Sequence, residues 1–215
     1  MKYIIVLVIF FAASTTYALT VNISGTITQV SDSSNSLGGA VSAGDTFSGS
    51  YTYDDTPDVI YNGTNISQYE YTTGINGVKI EINGLTFETD LSSLYFLVEV
   101  HNDRAVTNDV FLWHSYYNTV SSGIPVDTIS WELKDNSRTA LTSTHLPDTV
   151  MDLSAWPDFN WLAIHSAAVV GSDVFIYDIY GTVTFTEAAP AIPEPLSLLL
   201  CAIGGILIKL RKRIF

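Results

Sequence analysis

The stretch Leu19–Thr28 reads LTVNISGTIT and alternates apolar with polar side chains over most of its length. Successive side chains of a β-strand point to opposite faces of a sheet, so this alternation predicts a strand with one buried and one solvated face. Four aliphatic residues share the predicted buried face: Leu19, Val21, Ile23 and Ile27. A second stretch, Ile179–Thr184 (IYGTVT), resembles the segment ISGTIT within the first. We therefore expect the two strands to lie in one sheet, with a bulge or a close backbone approach at Gly25 and Gly181.

The same period of two recurs along the chain, punctuated by Gly, Asn, Asp and Ser, while helical periodicity is nearly absent. Eight further strands are predicted, at Thr46–Tyr53, Gln68–Thr72, Val78–Ile82, Leu85–Glu88, Leu94–His101, Val110–Tyr116, Thr128–Lys134 and Phe159–Ser166. Asn83-Gly84 predicts a two-residue hairpin turn. Ten short antiparallel strands predict an all-β fold, a single β-sandwich of the jelly-roll type over residues 19–188.

The predicted body is acidic and lacks cysteine. Four basic residues, Lys79, Arg104, Lys134 and Arg138, face 21 acidic ones. This balance argues against nucleic acid and anionic lipid as partners, and it keeps an exported domain soluble. The single cysteine, Cys201, lies in the C-terminal tail, so the body has no disulfide to form and no thiol nucleophile. Its core must therefore stabilise it unaided, and Trp131 is predicted to belong to that core.

The first 18 residues have the pattern of a secretory signal peptide. Lys2 supplies a positive end, Tyr3–Ala13 an apolar core, and Thr16-Tyr17-Ala18 a site of small residues for signal peptidase. An uncleaved anchor is the alternative, but the apolar core is short. We predict cleavage after Ala18.

The last residues have the pattern of a membrane anchor. Leu196–Ile208 carries no charge, and a basic cluster follows at once, made of Lys209, Arg211, Lys212 and Arg213. An apolar run followed by cations predicts a transmembrane helix with its C-terminal end in the cytoplasm. Pro193-Glu194-Pro195 precedes the helix, and its two prolines favour an extended, accessible segment.

The order of Pro-Glu-Pro, short membrane helix and basic cluster resembles the PEP-CTERM sorting signal of Gram-negative bacteria that make extracellular polysaccharide. The resemblance implies that residues 189–215 form a sorting signal and that an exosortase, a membrane-embedded cysteine transpeptidase, recognises and removes the tail. It also implies that the protein reaches the cell surface or the matrix after a transient stay in the inner membrane. The β motifs of the body also resemble the globular region of many such proteins.

Metal chemistry has one weak candidate in the sequence. Asp54, Asp55 and Asp58 fall in a turn after a predicted strand, where several oxygen ligands could gather around calcium. The alternative is an acidic, solvated turn around Pro57. No other cofactor is expected.

Catalytic signals are weaker. Glu70, Glu99 and Glu132 lie on polar faces of predicted strands and could supply the carboxylate pair of a glycosidase, but nothing in the sequence brings two of them together. The four histidines lack ligand spacing, and nucleophile or phosphate-binding motifs are missing. We therefore do not expect an enzyme.

Aromatic residues indicate a different possibility, because sugar rings stack on exposed Tyr and Trp faces. Tyr95, Tyr180 and the pair Tyr116-Tyr117 lie on or beside polar faces, although exposed tyrosines in strands also pack against cross-strand neighbours. The leading hypothesis is an exported structural or adhesive protein of the exopolysaccharide or biofilm. The alternatives are a carbohydrate-binding module and a carbohydrate-active enzyme on a jelly-roll scaffold.

Overall fold

The computed structural model describes residues 18–104 and 108–190, and nearly all of this part of the chain lies in strands or in the turns between them. The strands are β1 (Ala18–Asp32), β2 (Thr46–Asp54), β3 (Asp58–Asn62), β4 (Ile66–Tyr71), β5 (Gly77–Ile82), β6 (Leu85–Thr89), β7 (Tyr95–Arg104), β8 (Asn108–Val120), β9 (Val126–Asp135), β10 (Phe159–Val170) and β11 (Asp173–Ala188). Two 3-10 helices of three residues each, Leu91–Ser93 and Leu153–Ala155, complete it.

All ten predicted strands are confirmed, and so is the hairpin between β5 and β6. Asn83 and Gly84 have φ of 49° and 84°, and Ile82 pairs directly with Leu85. This is the left-handed backbone that a two-residue turn demands. Strand β3 was not predicted, because every one of its residues is exposed and its sequence therefore carries no alternation.

The strands close into a ring, so the prediction of a β-sandwich was wrong. Eight strands follow one another in the order β8-β6-β5-β2-β1-β11-β10-β9, and β9 pairs again with β8 to close an eight-stranded barrel. Strands β7, β4 and β3 continue the sheet beyond β8, because the first part of β8 pairs with β7 and only its last residues pair with β6. A jelly roll would instead have left two separate sheets.

The prediction that the first and last strands lie in one sheet is confirmed, and the structure shows that they pair directly. Strands β1 and β11 run antiparallel from Val21 opposite Ala188 to Asp32 opposite Tyr177. The register shifts at Ser24/Gly25 and again at Ile27/Gln29. Bulges of this kind bend a strand and increase its twist, which a long strand needs in order to follow a closed barrel. Both glycines lie where another backbone or ring approaches closely.

Aromatic side chains fill the barrel. Trp113, Trp131, Tyr51 and Phe111 are at most 1% exposed, and their rings contact one another at centroid distances between 5.6 and 6.4 Å. An eight-stranded barrel is just wide enough for its side chains to fill, so this interior is a packed core. The assignment of Trp131 to the core is confirmed.

The long connection between β9 and β10 packs against one end of the barrel. Tyr53 donates its hydroxyl to the carbonyl oxygen of Pro147 at 2.7 Å, and Tyr69 donates to that of Thr144 at 2.8 Å. Trp156, 4% exposed, joins the core from this connection. The same end of the barrel holds residues 18–20 and 188–190, and we call it the tether end.

No helix within residues 18–104 and 108–190 combines the length and the apolar character needed to cross a membrane. The predicted membrane helix at Leu196–Ile208 lies outside the described residues.

Candidate functional site

The tether end holds the described residues that lie next to the two predicted targeting segments in the sequence. The backbone N–H of Ala189 donates to the carbonyl oxygen of Thr20 at 2.9 Å, directly beyond the pair Val21 and Ala188. Residues 1–17, the sorting motif Pro193-Glu194-Pro195 and the basic cluster of Lys209, Arg211, Lys212 and Arg213 lie outside the described residues. Ala189 lies four residues before Pro193 in the sequence.

In the acidic turn after β2, the carboxylate of Asp54 accepts hydrogen bonds from within the protein. Asp54 accepts from the backbone N–H and the hydroxyl of Thr56 at 2.8 and 2.7 Å, and from the side-chain amide of Asn76 at 3.0 Å. Asp55 is exposed, and Asp58 begins β3 opposite Glu70. Among the described residues, no group of three His, Cys, Asp or Glu side chains is arranged to hold a metal ion. Calcium at this turn stays a prediction from the sequence.

Two of the three candidate glutamates come onto one row of the sheet. Glu99 on β7 pairs with Leu112 on β8, which pairs with Glu132 on β9. Directly paired residues share a face, so both carboxylates lie on the outer surface with their backbones about 10 Å apart. Glu70 is not part of this row, since its partner on β7 is Leu97.

Neither glutamate of this row is set up as a general acid. The Nε2 of His101 lies 3.0 Å from Glu99, and this hydrogen bond holds the pKa of Glu99 below its usual range although burial opposes it. Glu132 forms an ion pair with Lys134 at 2.8 Å. Glycoside hydrolysis needs a carboxyl that holds its proton near neutral pH. Burial lowers the pKa of the neighbouring His114 despite the two carboxylates, so this imidazole is neutral at pH 7.

Three aromatic side chains pack against one another on the outer surface of the barrel. The rings of Phe159 and Trp161 on β10 stack at 5.6 Å with an interplanar angle of 2°, and Tyr180 meets Trp161 edge-on at 5.0 Å. Lys134 lies 4.8 Å above the ring of Phe159. Each ring is thus packed against a neighbour, which is the ordinary cross-strand role of aromatic residues in sheets.

The other predicted tyrosines are brought together. Tyr95 on β7 pairs with Tyr116 on β8, and their rings meet edge-on at 5.3 Å. Tyr117 lies beside them and is 65% exposed. These three line one pocket with Val126, Asp127 and Thr128 from the start of β9. The contribution of β9 could not be predicted, because alternation along β9 says nothing about which strand lies next to it.

Two fully buried aspartates at the tether end were not singled out in the sequence. Asp109 and Asp135 face each other across β8 and β9. Asp135 accepts from Ser137, Thr139 and Ala140, and Asp109 accepts from the N–H groups of Asp103 and Leu141. Burial opposes ionisation of Asp135, yet the hydrogen bonds from Ser137 and Thr139 hold its pKa well below the usual range. These carboxylates fix the start of the connection after β9, so we assign them a structural role.

Comparisons of the chain with protein-family models, with curated proteins and with solved structures find no match.

Proposed function

We propose that this protein is an exported structural or adhesive component of the cell surface or the exopolysaccharide matrix, sorted through its C-terminal tail by an exosortase. Signal peptidase acts at the other end, after Ala18. The targeting signals in the sequence motivate the route. The pairing of β1 with β11 carries the proposal structurally, because it brings the residues next to both targeting segments to one end of the barrel.

The short tether supports this route. Between Ala189, which is hydrogen-bonded to β1, and Pro193 there are only three residues, so the chain spans at most about 14 Å. A barrel held by the tail in the inner membrane would therefore keep its tether end close to the bilayer. Its opposite end would face away from the membrane, towards the polymer that we propose as its surroundings.

The acidic body is compatible with this destination. With 21 acidic and four basic residues over 18–190, the barrel is repelled by anionic lipid and remains soluble once it is released. A carbohydrate-binding module is the second candidate function. The grouping of Tyr95, Tyr116 and Tyr117 favours it, and it is compatible with the same export route.

The change Glu194→Ala tests the sorting proposal in a host that carries the sorting enzyme. Glu194 is the only charged residue between Ala188 and Lys209, so we expect its loss to prevent recognition while export and folding of the body continue. Full-length protein should then accumulate in the inner membrane. Glu187→Ala is the matched control, since it removes a neighbouring carboxylate that belongs to β11. If the Glu194 variant reached the surface without its tail as efficiently as the parent, the sorting assignment would fail.

A further inference from the structure

The tyrosine pocket lies where the sheet branches. Strand β8 pairs with β7 as far as Tyr116, opposite Tyr95, and with β6 from Asn118, opposite Thr89. Tyr117 stands between the two pairings with φ of 56°. An aromatic residue rarely adopts this left-handed conformation, and it persists only where the surroundings fix it. Here the backbone N–H of Asp90 donates to the carbonyl oxygen of Tyr117 at 2.9 Å.

This conformation places two consecutive tyrosines at one pocket. In a regular strand Tyr116 and Tyr117 would point to opposite faces of the sheet. Both instead line the same pocket, and Tyr95 packs edge-on against Tyr116. The pocket has a volume of about 330 Å³, at the lower end of the range for small-ligand sites.

The pocket offers polar groups beside its rings. The hydroxyls of Tyr95, Tyr116, Tyr117 and Thr128 have no hydrogen-bond partner within the described part of the chain, and they stand at a half-buried or exposed surface. One carboxylate oxygen of Asp127 accepts the backbone N–H of Ala167 at 2.6 Å, which fixes the side chain. Its other oxygen has no partner among these residues and can accept a ligand hydroxyl. Burial raises the pKa of Tyr116, so its hydroxyl remains a donor at neutral pH.

The charge of the residues that line the pocket indicates which class of ligand it can bind. Asp127 is the one charged residue among those that line the pocket, and no Lys or Arg is among them. An anionic sugar would meet this carboxylate and the acidic surface around it without a compensating cation. A neutral pyranose has an apolar C–H face for the rings and hydroxyls around its edge for Asp127 and the phenols.

We propose that the pocket of Tyr95, Tyr116, Tyr117, Asp127 and Thr128 binds a neutral hexose unit of an extracellular glycan. This inference rests on the proposed function for the setting in which the protein meets that glycan.

Calorimetric titration of the full-length chain tests the pocket, in a zwitterionic detergent that has no sugar headgroup. The probes are cellohexaose, maltohexaose and mannohexaose as neutral glycans, and a hexamer of galacturonate as the acidic comparison. We expect at least one neutral probe to bind with a Kd below 1 mM and the acidic probe to bind at least tenfold more weakly. Absence of binding by all three neutral probes, or equal binding of the acidic one, overturns the proposal.

Two variants tie the binding to this pocket. Tyr117→Asn removes the ring and keeps a residue type that tolerates the left-handed backbone, so the fold should survive. Tyr61→Ala removes a comparably exposed tyrosine from β3, outside the pocket. We expect Tyr117→Asn to raise the Kd at least tenfold and Tyr61→Ala to leave it within twofold. An unchanged Kd in Tyr117→Asn, with an unchanged melting temperature, overturns the pocket.

A conservative variant covers the case in which Tyr117→Asn fails to fold. Asp127→Asn keeps the side chain in place and weakens its acceptor, and a Kd within twofold of the parent's would likewise reject the proposal. These outcomes are separate from those for sorting, because a protein that is correctly processed yet binds no glycan rejects only the pocket, whereas one that binds glycan but keeps its tail rejects only the sorting proposal.

Discussion

The ring of Phe47 occupies the space that a side chain at Gly25 would need. The two residues pair directly across β2 and β1, and a Cβ built on Gly25 would stand 2.7 Å from Cζ of Phe47. The same Cβ would also collide with the carbonyl oxygen of Thr182 on β11. Gly181 lies close to the same ring, where a Cβ would be 3.0 Å from Cε1. The two glycines thus let one aromatic ring pack across three strands.

Alanine at the two glycines should have different costs. At Gly25 a backbone carbonyl blocks the Cβ and cannot move without breaking the β1–β11 pairing, so Gly25→Ala should lower the free energy of unfolding by about 3 kcal/mol or more. At Gly181 the nearest atom belongs to a side chain, so Gly181→Ala should cost only about 1–2 kcal/mol. Urea unfolding followed by tryptophan fluorescence measures both.

Trimming the ring should rescue only one of the two variants. In a double-mutant cycle with Phe47→Leu, we expect a favourable coupling of about 1 kcal/mol with Gly181→Ala and little with Gly25→Ala. Ser24→Ala, next to Gly25 on the same strand, is the control for a general effect of β1. Equal coupling for both glycines would show that Phe47 alone, and not the Thr182 carbonyl, sets the requirement for glycine.

The two core tryptophans provide a matched pair. Trp113 and Trp131 are both fully buried, but the Nε1–H of Trp131 donates to Asn160 at 2.9 Å, whereas that of Trp113 has no partner in the part of the chain that the structure describes. Replacement by Phe removes a similar volume at each position. We expect Trp131→Phe to destabilise the fold by about 1 kcal/mol more than Trp113→Phe, because only Trp131 loses a hydrogen bond. Equal urea midpoints for the two variants would contradict this.

The buried carboxylate of Asp135 should make the free energy of unfolding depend on pH in the acidic range. The pKa of Asp135 in the folded protein lies below the unfolded value of about 3.9. The stabilisation from the ionised carboxylate is therefore fully present above about pH 3.9 and is lost as the pH falls from there through the pKa of the folded state. At pH 7, Asp135→Asn should cost about 2–3 kcal/mol, since the buried carboxylate is the acceptor of the N–H groups of Thr139 and Ala140.

The difference between parent and Asp135→Asn should narrow as the pH is lowered below 4. Urea midpoints at pH 7, 4 and 2.5 measure this narrowing. Asp173→Asn is the control, because Asp173 is an exposed residue at the start of β11. A difference that stays constant between pH 7 and 2.5 would mean that the charge of Asp135 contributes nothing.

Alternation revealed which side chains of each strand face the core, but not how the sheet closes. The faces of β1 and β9 were predictable because Val21, Ile23, Ile129 and Trp131 recur at every second position. The closing pair, β8 with β9, depends on which strand edges meet, and a strand has the same alternation in a sandwich and in a barrel. Strand β3 was not predicted because it has no buried face, so its sequence shows no alternation of apolar and polar residues.

In the candidate site, too, the sequence indicated individual residues but not how they come together. Tyr95, Tyr116 and Tyr117 could be singled out as aromatic residues near polar faces. Their meeting with Asp127 and Thr128 depends on the branch of the sheet at Tyr117, a non-local pairing that no local pattern encodes. Glu99 and Glu132 lie in one row for the same reason, and only their contacts with His101 and Lys134 argue against a role as acid and base.

The basic cluster should fix the orientation of the tail. Replacing Arg211, Lys212 and Arg213 together by Gln removes most of the charge that we propose holds the C-terminus in the cytoplasm. In a strain without the sorting enzyme, we expect less of the precursor to remain in the membrane fraction and more to be released. Replacement of Arg211 and Arg213 by Lys keeps the charge, and this variant should behave like the parent. If the Gln variant remained in the membrane fraction to the same extent as the parent, the basic cluster would not determine the orientation of the tail.

The intact mass of the protein recovered from the culture medium or the cell surface tests the central claim most directly, because it reports both processing events at once. The account predicts a chain that begins at Leu19 and lacks the residues from Leu196 to Phe215, with any added group on the new C-terminus seen as a further mass. A mass equal to that of all 215 residues, or to that of the chain without only its first 18, would contradict the claim that the tail is a sorting signal.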